Sequence, residues 1–495
     1  MTRPPRVAVI GAGAGGLAAA IDLSRQGCAV TVIDRAPKPG GKMRNLDVNG
    51  KPIAAGPTVF TMRWVFDGLF SDADTALEQR LNLSEASVLA RHAWTDGDRL
   101  DLHASIDDSV RAIAEFSGPT DASAYRRFCG ESQGIYDTLR DTFMGAQRPN
   151  PLSLTHRVGL SRIHKLLQTL PHVSLWSRLS KHFEDPRLVQ LFARYSTYVG
   201  SSPFQAPATL MLIAHVEQSG VWLVDGGMSA VAQAMVTLAE ERGTRLHFGD
   251  GVDEITTANG AVNGVVLDSG ETLPVDAVVY NGDYTALNQS LLPAAMRSKI
   301  PSRKVNQRGL SAITWCIDGT TRGFPMAFHN VLFADDYHRE FGDIFNHQRI
   351  TPRPTVYICA QDRNGGPAIS DNERMLMLIN APANGDTEAW PESVLESWYQ
   401  RACELCEQCG LTLSADRQNR LATSPKDFHQ RFPASGGSLY GGASQGMWSS
   451  FSRPGARAPI RGLYLAGGTV HPGPGVPMAT LSGRLAAAAL MADQL

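Results

Sequence analysis

The chain opens with a change of hydrophobic period. Residues 7–10 form a short unbroken apolar run, which predicts a strand buried on both faces. A glycine-rich turn follows. Ala and Leu then dominate residues 17–26, predicting a helix with Gly27 just past its last turn. Residues 29–33 are apolar again and lead into Asp34, a second strand. Strand, helix and strand over about 30 residues make a βαβ unit.

Related pieces return much later. Residues 245–283 break into short apolar runs at Asn259-Gly260, Asn263-Gly264 and Ser269-Gly270. That pattern predicts a small antiparallel meander ending in a strand over 275–280. Residues 462–466 read as another buried strand, followed by a Gly/Pro loop and an Ala-rich helix over 479–495. The intervening blocks differ in pattern. Residues 105–220 read as mostly helical, while 305–430 mix strands at 310–317, 355–360 and 375–379 with a helix over 392–409. An α/β fold is therefore expected, with a discontinuous cofactor domain and a second domain inserted in two parts.

Composition narrows the class. The 495 residues are 43% hydrophobic and 19% charged, which excludes a disordered, collagenous or disulfide-dense chain. The 46 basic and 48 acidic residues leave 46 − 48 = −2, against a dedicated nucleic-acid binder. The apolar run over 7–21 follows Arg3 and Arg6 as a secretory signal would. However, its four glycines suit a nucleotide-binding turn, and its 15 residues are too short to cross a bilayer. The uncharged stretch near the C-terminus is broken by Gly and Pro, so neither signal peptide nor transmembrane helix is expected. Seven cysteines, an odd number and mostly isolated, fit a reducing cytosol.

Three motifs carry candidate chemistry. In Gly11-Ala-Gly13-Ala14-Gly15-Gly16, between strand and helix, Gly11 permits the turn and Gly13 lets backbone approach a pyrophosphate. Gly16 lets the helix pack on the strand, and the helix N-terminus favours the anion. Asp34, 23 residues after Gly11, is placed to accept from ribose hydroxyls. Gly40-Gly41-Lys42-Met43-Arg44 offers paired glycines and two cations for phosphate or flavin-ring oxygens. Dinucleotide enzymes that use NAD do not need this second element, whereas many that use FAD have it. The third motif runs from Tyr464 through Gly468-Thr469-Val470-His471-Pro472-Gly473-Pro474-Gly475-Val476-Pro477-Met478, a strand feeding a Gly/Pro loop that opens a helix.

Together these motifs resemble the FAD-dependent amine-oxidase/phytoene-desaturase superfamily. The 469–477 run resembles its bacterial carotenoid-desaturase branch, as do Gly56-Pro57-Thr58-Val59-Phe60 and the 222–231 stretch with Gly226-Gly227. Residues 56–64 are most similar to those of the 1-hydroxycarotenoid 3,4-desaturases (hydroxyneurosporene and methoxyneurosporene desaturases) of phototrophic bacteria. Asp34 departs from the Glu common in the superfamily.

The resemblance implies FAD as cofactor and an inserted mixed substrate domain with a helical, membrane-facing subdomain. The corresponding divisions are 1–100, 221–300 and 446–495 for the Rossmann-type FAD-binding domain, 101–220 for the helical part and 301–445 for the second substrate part. Gly11, Gly13, Ala14, Gly15, Gly16, Asp34 and Arg35 are implied for the ADP half. Gly41, Lys42 and Arg44 are implied along the pyrophosphate and ring. Gly56, Pro57 and Thr58 approach the flavin, Val252 offers backbone to adenine, and Gly468, Thr469, Val476 and Met478 close over the ring.

The implied reaction is trans desaturation of an acyclic C40 carotenoid, across C3–C4 of a 1-hydroxy carotenoid. Hydride passes to flavin N5, a proton leaves the neighbouring carbon, and oxygen or a membrane quinone is the final acceptor. Desaturation of phytoene with other specificity, carotenoid isomerisation, and amine or protoporphyrinogen oxidation stay open on the same fold. A non-catalytic lipid escort fits poorly with intact glycine motifs.

Residues 153–183 contain no Asp or Glu. They carry Arg157, Arg162, Lys165, Arg178 and Lys181, four histidines (His156, His164, His172, His182) and interleaved Leu and Trp. Such a segment is expected to lie peripherally on an anionic membrane surface. Two further features are weaker. Cys403, Cys406 and Cys409 lack the fourth ligand of an iron–sulfur pattern, so no metal is expected. His471, in the cofactor loop, is the sole candidate for acid–base catalysis; no other catalytic side chain is evident.

Overall fold

The computed structural model describes residues 3–159, 163–363, 372–447 and 449–494, without the side chains of residues 163, 164 and 450. Five parallel strands form the first layer, in the order Leu463–Leu465, Ala277–Tyr280, Arg6–Ile10, Ala29–Asp34, Arg245–Phe248. Central Val7, Ala8 and Val9 are fully buried, as an apolar run covered on both faces should be.

Arg245–Phe248 departs from expectation. It joins this sheet as its edge, pairing in parallel with Ala29–Asp34, rather than joining the meander. The meander proper is Val252–Ala258, Ala261–Leu267 and Thr272–Pro274. A four-residue apolar run carries too little period to separate the two cases. The helix Met228–Glu241 before it decides, because it supplies the crossover a parallel partner needs.

Helix Ala14–Arg25 is buried along nearly its whole length, with the C-terminal helix Val476–Gln494 against it. That second helix starts three residues before the predicted 479. Their backbones nearly touch: a Cβ on Gly483 would lie 1.9 Å from the Gly15 carbonyl oxygen. Fully buried Ala18, Ala19, Ala486 and Ala487 keep the two axes close.

Among the described residues, the inserted sheet has eight strands. Its long strand Ser311–Arg322 pairs with Glu373–Ala381 and Arg420–Thr423, and the order continues through Val356–Ala360 and His329–Leu332. Thr412–Ser414, paired with the 320–322 end of the long strand, and residues 88–103 complete it, since Arg91–Ala93 pairs with Asn330–Leu332. The division at residue 100 is therefore corrected: these strands belong to the inserted sheet, and only tertiary pairing reveals it.

The helical layer comprises Ile106–Ser117, Pro119–Leu139, Pro151–Val158, Ile163–Gln168, Leu175–His182, Pro186–Ala193 and Leu212–Gln218. Tyr125, Phe128, Phe183 and Phe192 form its centre, with Phe128 and Phe192 ring centroids 4.7 Å apart. One continuous apolar core joins this layer to the parallel sheet.

Not all of the basic segment faces solvent. Arg178 and His182 both bond Glu131 (2.9 Å each at their Nε atoms), and Arg157 donates to the carbonyls of Thr142 and Gln147. His156, Lys165, His172 and Lys181 are exposed. Leu160 and Arg162, and the side chains of Ile163 and His164, lie outside the described residues.

Candidate functional site

A cavity of about 1720 Å³ runs from the first glycine turn into the helical layer. At its sheet end the wall is mostly backbone. Gly11 adopts φ +102°, and the following turn crosses the carboxyl ends of the parallel strands, the usual ligand crevice of such sheets. Asp34 accepts from the Ala12 N–H (2.7 Å) and the Ala36 N–H (2.8 Å), so it clamps the turn, and it lines the cavity.

The second glycine pair closes on the first. The Gly40 N–H bonds the Ala12 carbonyl, and a Cβ on Gly41 would lie 3.3 Å from Gly13 Cα. Gly56 is tighter still, since a Cβ there would lie 1.8 Å from the Lys42 carbonyl oxygen. Gly16 does not line the cavity; a Cβ there would meet the Gly11 carbonyl oxygen at 2.0 Å, which is the helix-on-strand packing expected of it.

Every other cofactor-site residue singled out in the sequence lies in one wall. Gly11, Gly13, Ala14, Gly15, Asp34, Arg35 and Val252 are at the sheet end, and Gly41, Lys42, Arg44, Gly56, Pro57 and Thr58 follow. Gly468, Thr469, Val476 and Met478 complete it from the C-terminal loop. Segments hundreds of residues apart thus meet along one wall of the cavity.

Two cations sit in it at a cost. Lys42 Nζ donates to the Leu439 carbonyl at 2.5 Å, and burial pulls its ammonium down to about 8, with Asp283 opposing. Burial, with Arg431 next, lowers the Arg44 guanidinium to about 10. Both terminal nitrogens of Arg44 are buried without a hydrogen-bond partner. Orphaned donors of this kind call for an acceptor, and an anionic or carbonyl-rich group in the cavity supplies one.

Several wall residues gave no sequence signal. The Asn281 amide donates to the Gly11 carbonyl (3.1 Å) and packs against Gly13, Gly15 and Gly467. Buried Arg453 donates to the carbonyls of Gly468 (3.0 Å) and Gly442 (2.8 Å), tying the C-terminal loop to the 440–442 segment. Asp283 pairs with Arg303 at 2.9 Å, both side chains buried. An Asn or Asp after a strand is legible only as a turn, and a lone Arg carries no pattern.

His471 lies outside the wall. Its Nε2 bonds the Ala146 carbonyl (2.9 Å), its ring packs edge-on to Phe143, and burial holds it at about 4, hence neutral. The three helix cysteines are core: Cys406 and Cys409 are fully buried, and burial pushes the Cys403 thiol up to about 11 and the Cys409 thiol to about 12. All seven cysteines are free.

The far end of the cavity is apolar. Leu139, Phe143, Leu154, Leu166, Leu210 and Ile213 are among its lining residues. Polar residues interrupt it, and some are connected. Thr58 Oγ1 bonds the Tyr357 hydroxyl, which bonds His329 Nδ1, each at 2.7 Å. Burial, then the Arg194 charge, push His329 down to about 3. Tyr198 and Arg194 also reach this wall.

A family model described as "Flavin containing amine oxidoreductase" matches residues 14–491, nearly the whole chain. The chain belongs to the flavin-containing amine oxidoreductase family. Its cofactor is FAD, and the orphaned Arg44 donors and the glycine cradle fit that group. Putrescine oxidase bound to putrescine shares the fold over 99% of this chain and 100% of its own, with a TM-score of 0.61 at 14% identity. Among curated relatives, a hydroxyneurosporene desaturase of Rubrivivax gelatinosus is 48% identical over 99% of this chain and 94% of its own length. That of Cereibacter sphaeroides is 42% identical over 99% and 98%. The protein is an oxidoreductase of the carotenoid-desaturase branch. Among the described residues, no helix is long and apolar enough to cross a membrane.

Proposed function

We propose that the protein dehydrogenates an acyclic 1-hydroxy C40 carotenoid across C3–C4. The observation that carries this reading is the continuity of the cavity. Its volume of about 1720 Å³ is well beyond the roughly 300–1,000 Å³ of a pocket for one small ligand. It therefore has room for a dinucleotide at the sheet end and a long apolar chain beyond. The hydroxyneurosporene-desaturase relatives support the substrate class.

Bound FAD supplies the hydride acceptor. The chain's own residues position and desolvate. Gly56, Pro57 and Thr58 bring backbone to the junction between cofactor and substrate ends, and Arg453 holds the Gly468 loop against it. The Leu- and Phe-lined walls align a polyene and exclude water, which protects charge developing on the chain during hydride loss. Gly11, Gly13, Ala14, Gly15, Asp34 and Arg35 are assigned to the ADP half. Lys42 and Arg44, with Gly41, are assigned to the pyrophosphate and ring, Val252 to adenine, and Thr469, Val476 and Met478 to the ring's outer face.

The far end of the cavity leads to the basic segment. Pro151, Leu154, Thr155, Leu166 and Thr169 line it, while Leu152 (84% exposed) and Leu167 (70%) project outward from the same two helices. Two exposed leucines beside Lys165 and His156 suit an anionic lipid interface from which an insoluble substrate is taken. Oxygen or a membrane quinone then reoxidises the enzyme.

The test is anaerobic incubation of FAD-loaded protein and liposomes with a 1-hydroxy carotenoid and, in parallel, phytoene. A red shift confined to the hydroxylated substrate is expected. Conversion of phytoene alone would move the specificity and end this reading. For the membrane contact, a Leu152→Ser/Leu167→Ser double variant is expected to lose most liposome co-sedimentation with its flavin spectrum unchanged; unchanged sedimentation would refute it.

A further inference from the structure

Among the described residues, the helical end of the cavity holds a charged group that apolar packing does not account for. Arg194 follows the helix Pro186–Ala193, and its side chain is only 10% exposed. Its Nη1 donates to the Tyr198 hydroxyl at 3.2 Å. Its Nε and Nη2 are buried with no partner, and the nearest carboxylate oxygen, of Glu217, is 3.9 Å from Nη2. Glu217 is already engaged: Tyr195 donates to one oxygen at 2.8 Å and Tyr198 to the other. A guanidinium offers five N–H donors in a fixed fork, and here most of that capacity is unused inside a cavity wall.

The neighbours define what the free donors can take. Glu217 balances the arginine charge, so the pair has no net charge to offer a carboxylate or phosphate. What remains is a set of fixed N–H donors on a guanidinium held against the Tyr195 and Tyr198 rings, which suits a neutral oxygen acceptor. The position is also restrictive. A hydroxyl on C1 stands only four bonds from C4, about 5 Å, so whatever reads it must lie beside the reacting bond. Arg194 lines the same cavity as Tyr357, and Tyr357 bonds Thr58 at the cofactor end.

We propose that Arg194, held by Tyr198 and charge-balanced by Glu217, donates hydrogen bonds to the substrate's C1 oxygen and so selects hydroxylated over unhydroxylated polyenes. This rests on the substrate class proposed above. A site with buried donors built for an oxygen discriminates strongly against an analogue lacking it, because the donors are then left unpaired. A purely apolar tunnel has no such means, since it accepts either polyene.

The experiment compares hydroxyneurosporene with neurosporene, delivered in liposomes to FAD-loaded protein. Turnover is read as kcat/KM and binding as quenching of protein fluorescence. The Arg194→Met variant is expected to lower the hydroxyl preference at least about 30-fold. Removing the arginine alone strands Glu217, so an Arg194→Met/Glu217→Gln double variant removes both charges together. Flavin absorbance and melting temperature report its folding. A preference that collapses in the folded double variant, in turnover or binding, supports the role. Equal losses on both polyenes, or a wild-type protein with no preference in either readout, overturn it. If wild-type protein binds the hydroxylated polyene preferentially yet converts neither, the reaction assigned above fails while the role of Arg194 stands.

Discussion

The two ends of the cavity are built on different principles. At the sheet end the cavity wall is largely backbone: glycine turns from residues 11–16, 40–41, 56 and 467–475, pressed so closely that an added Cβ often finds no room. At the helical end the wall is side chains, with Leu and Phe from several helices and polar Thr155, Thr169, Arg194 and Tyr198 among them. On the proposed function the first surface takes a constant group and tolerates almost no variation. The second takes a long apolar molecule, so many side chains of similar bulk serve, and its specificity rests on a few polar atoms.

That difference is open to direct attack, from the severest change to the mildest. At the sheet end, Gly56→Ala forces a Cβ to within 1.8 Å of the Lys42 carbonyl oxygen, with neither backbone free to yield. Purified protein is expected to lack the flavin band near 450 nm and all activity; a flavin-loaded variant would show the cradle is looser than its geometry. Arg44→Met removes the unpaired guanidinium. FAD is expected to bind about 10–100-fold more weakly, the worth of a hydrogen bond to a charged group, as measured by fluorescence titration of apoprotein. At the helical end, Leu210→Trp overfills the tunnel. It is expected to cost about tenfold in kcat/KM with FAD affinity unchanged. Were flavin lost as well, the two ends would not be independent.

The smallest effect concerns the helical layer itself. Burial alone would raise the Glu131 carboxyl, but hydrogen bonds from His182 and Arg178 hold it at about 2, against 4.5 when free. A depressed carboxylate pKa stabilises the fold above the unfolded value and is lost as pH falls through the folded one. Melting temperature is therefore expected to decline between about pH 4.5 and pH 2. Glu131→Gln should cost about 1–2 kcal/mol at neutral pH and flatten that decline. Parallel curves for both proteins would assign the acid sensitivity elsewhere.

Legibility follows the same division. The βαβ unit was readable because strand, turn, helix and acid lie within one short stretch, and period and glycine spacing are local signals. The C-terminal strand, loop and helix were readable for the same reason. Arg245–Phe248 was misplaced because four residues cannot declare whether their partner is parallel. The strands over 88–103 were assigned to the wrong unit because their partner, His329–Leu332, is remote in sequence. The basic segment was legible as composition, but not the engagement of Arg178 and His182 with Glu131 on another helix.

By itself, then, the sequence determined the α/β class, the glycine turn after the first strand, the FAD-bearing family and the close-packed glycines that line the cavity. These depend on backbone conformation and close approach, which only particular residue types permit at particular spacings. Only the tertiary structure decided that Asn281 bridges the glycine turns and that Arg453 fastens the flavin-end loop. It alone withdrew His471 behind the wall and left Arg194 with open donors in an apolar tunnel. A single Asn, His or Arg carries no period and no spacing. Its meaning comes from which distant segments are folded against it and whether they leave its polar atoms satisfied.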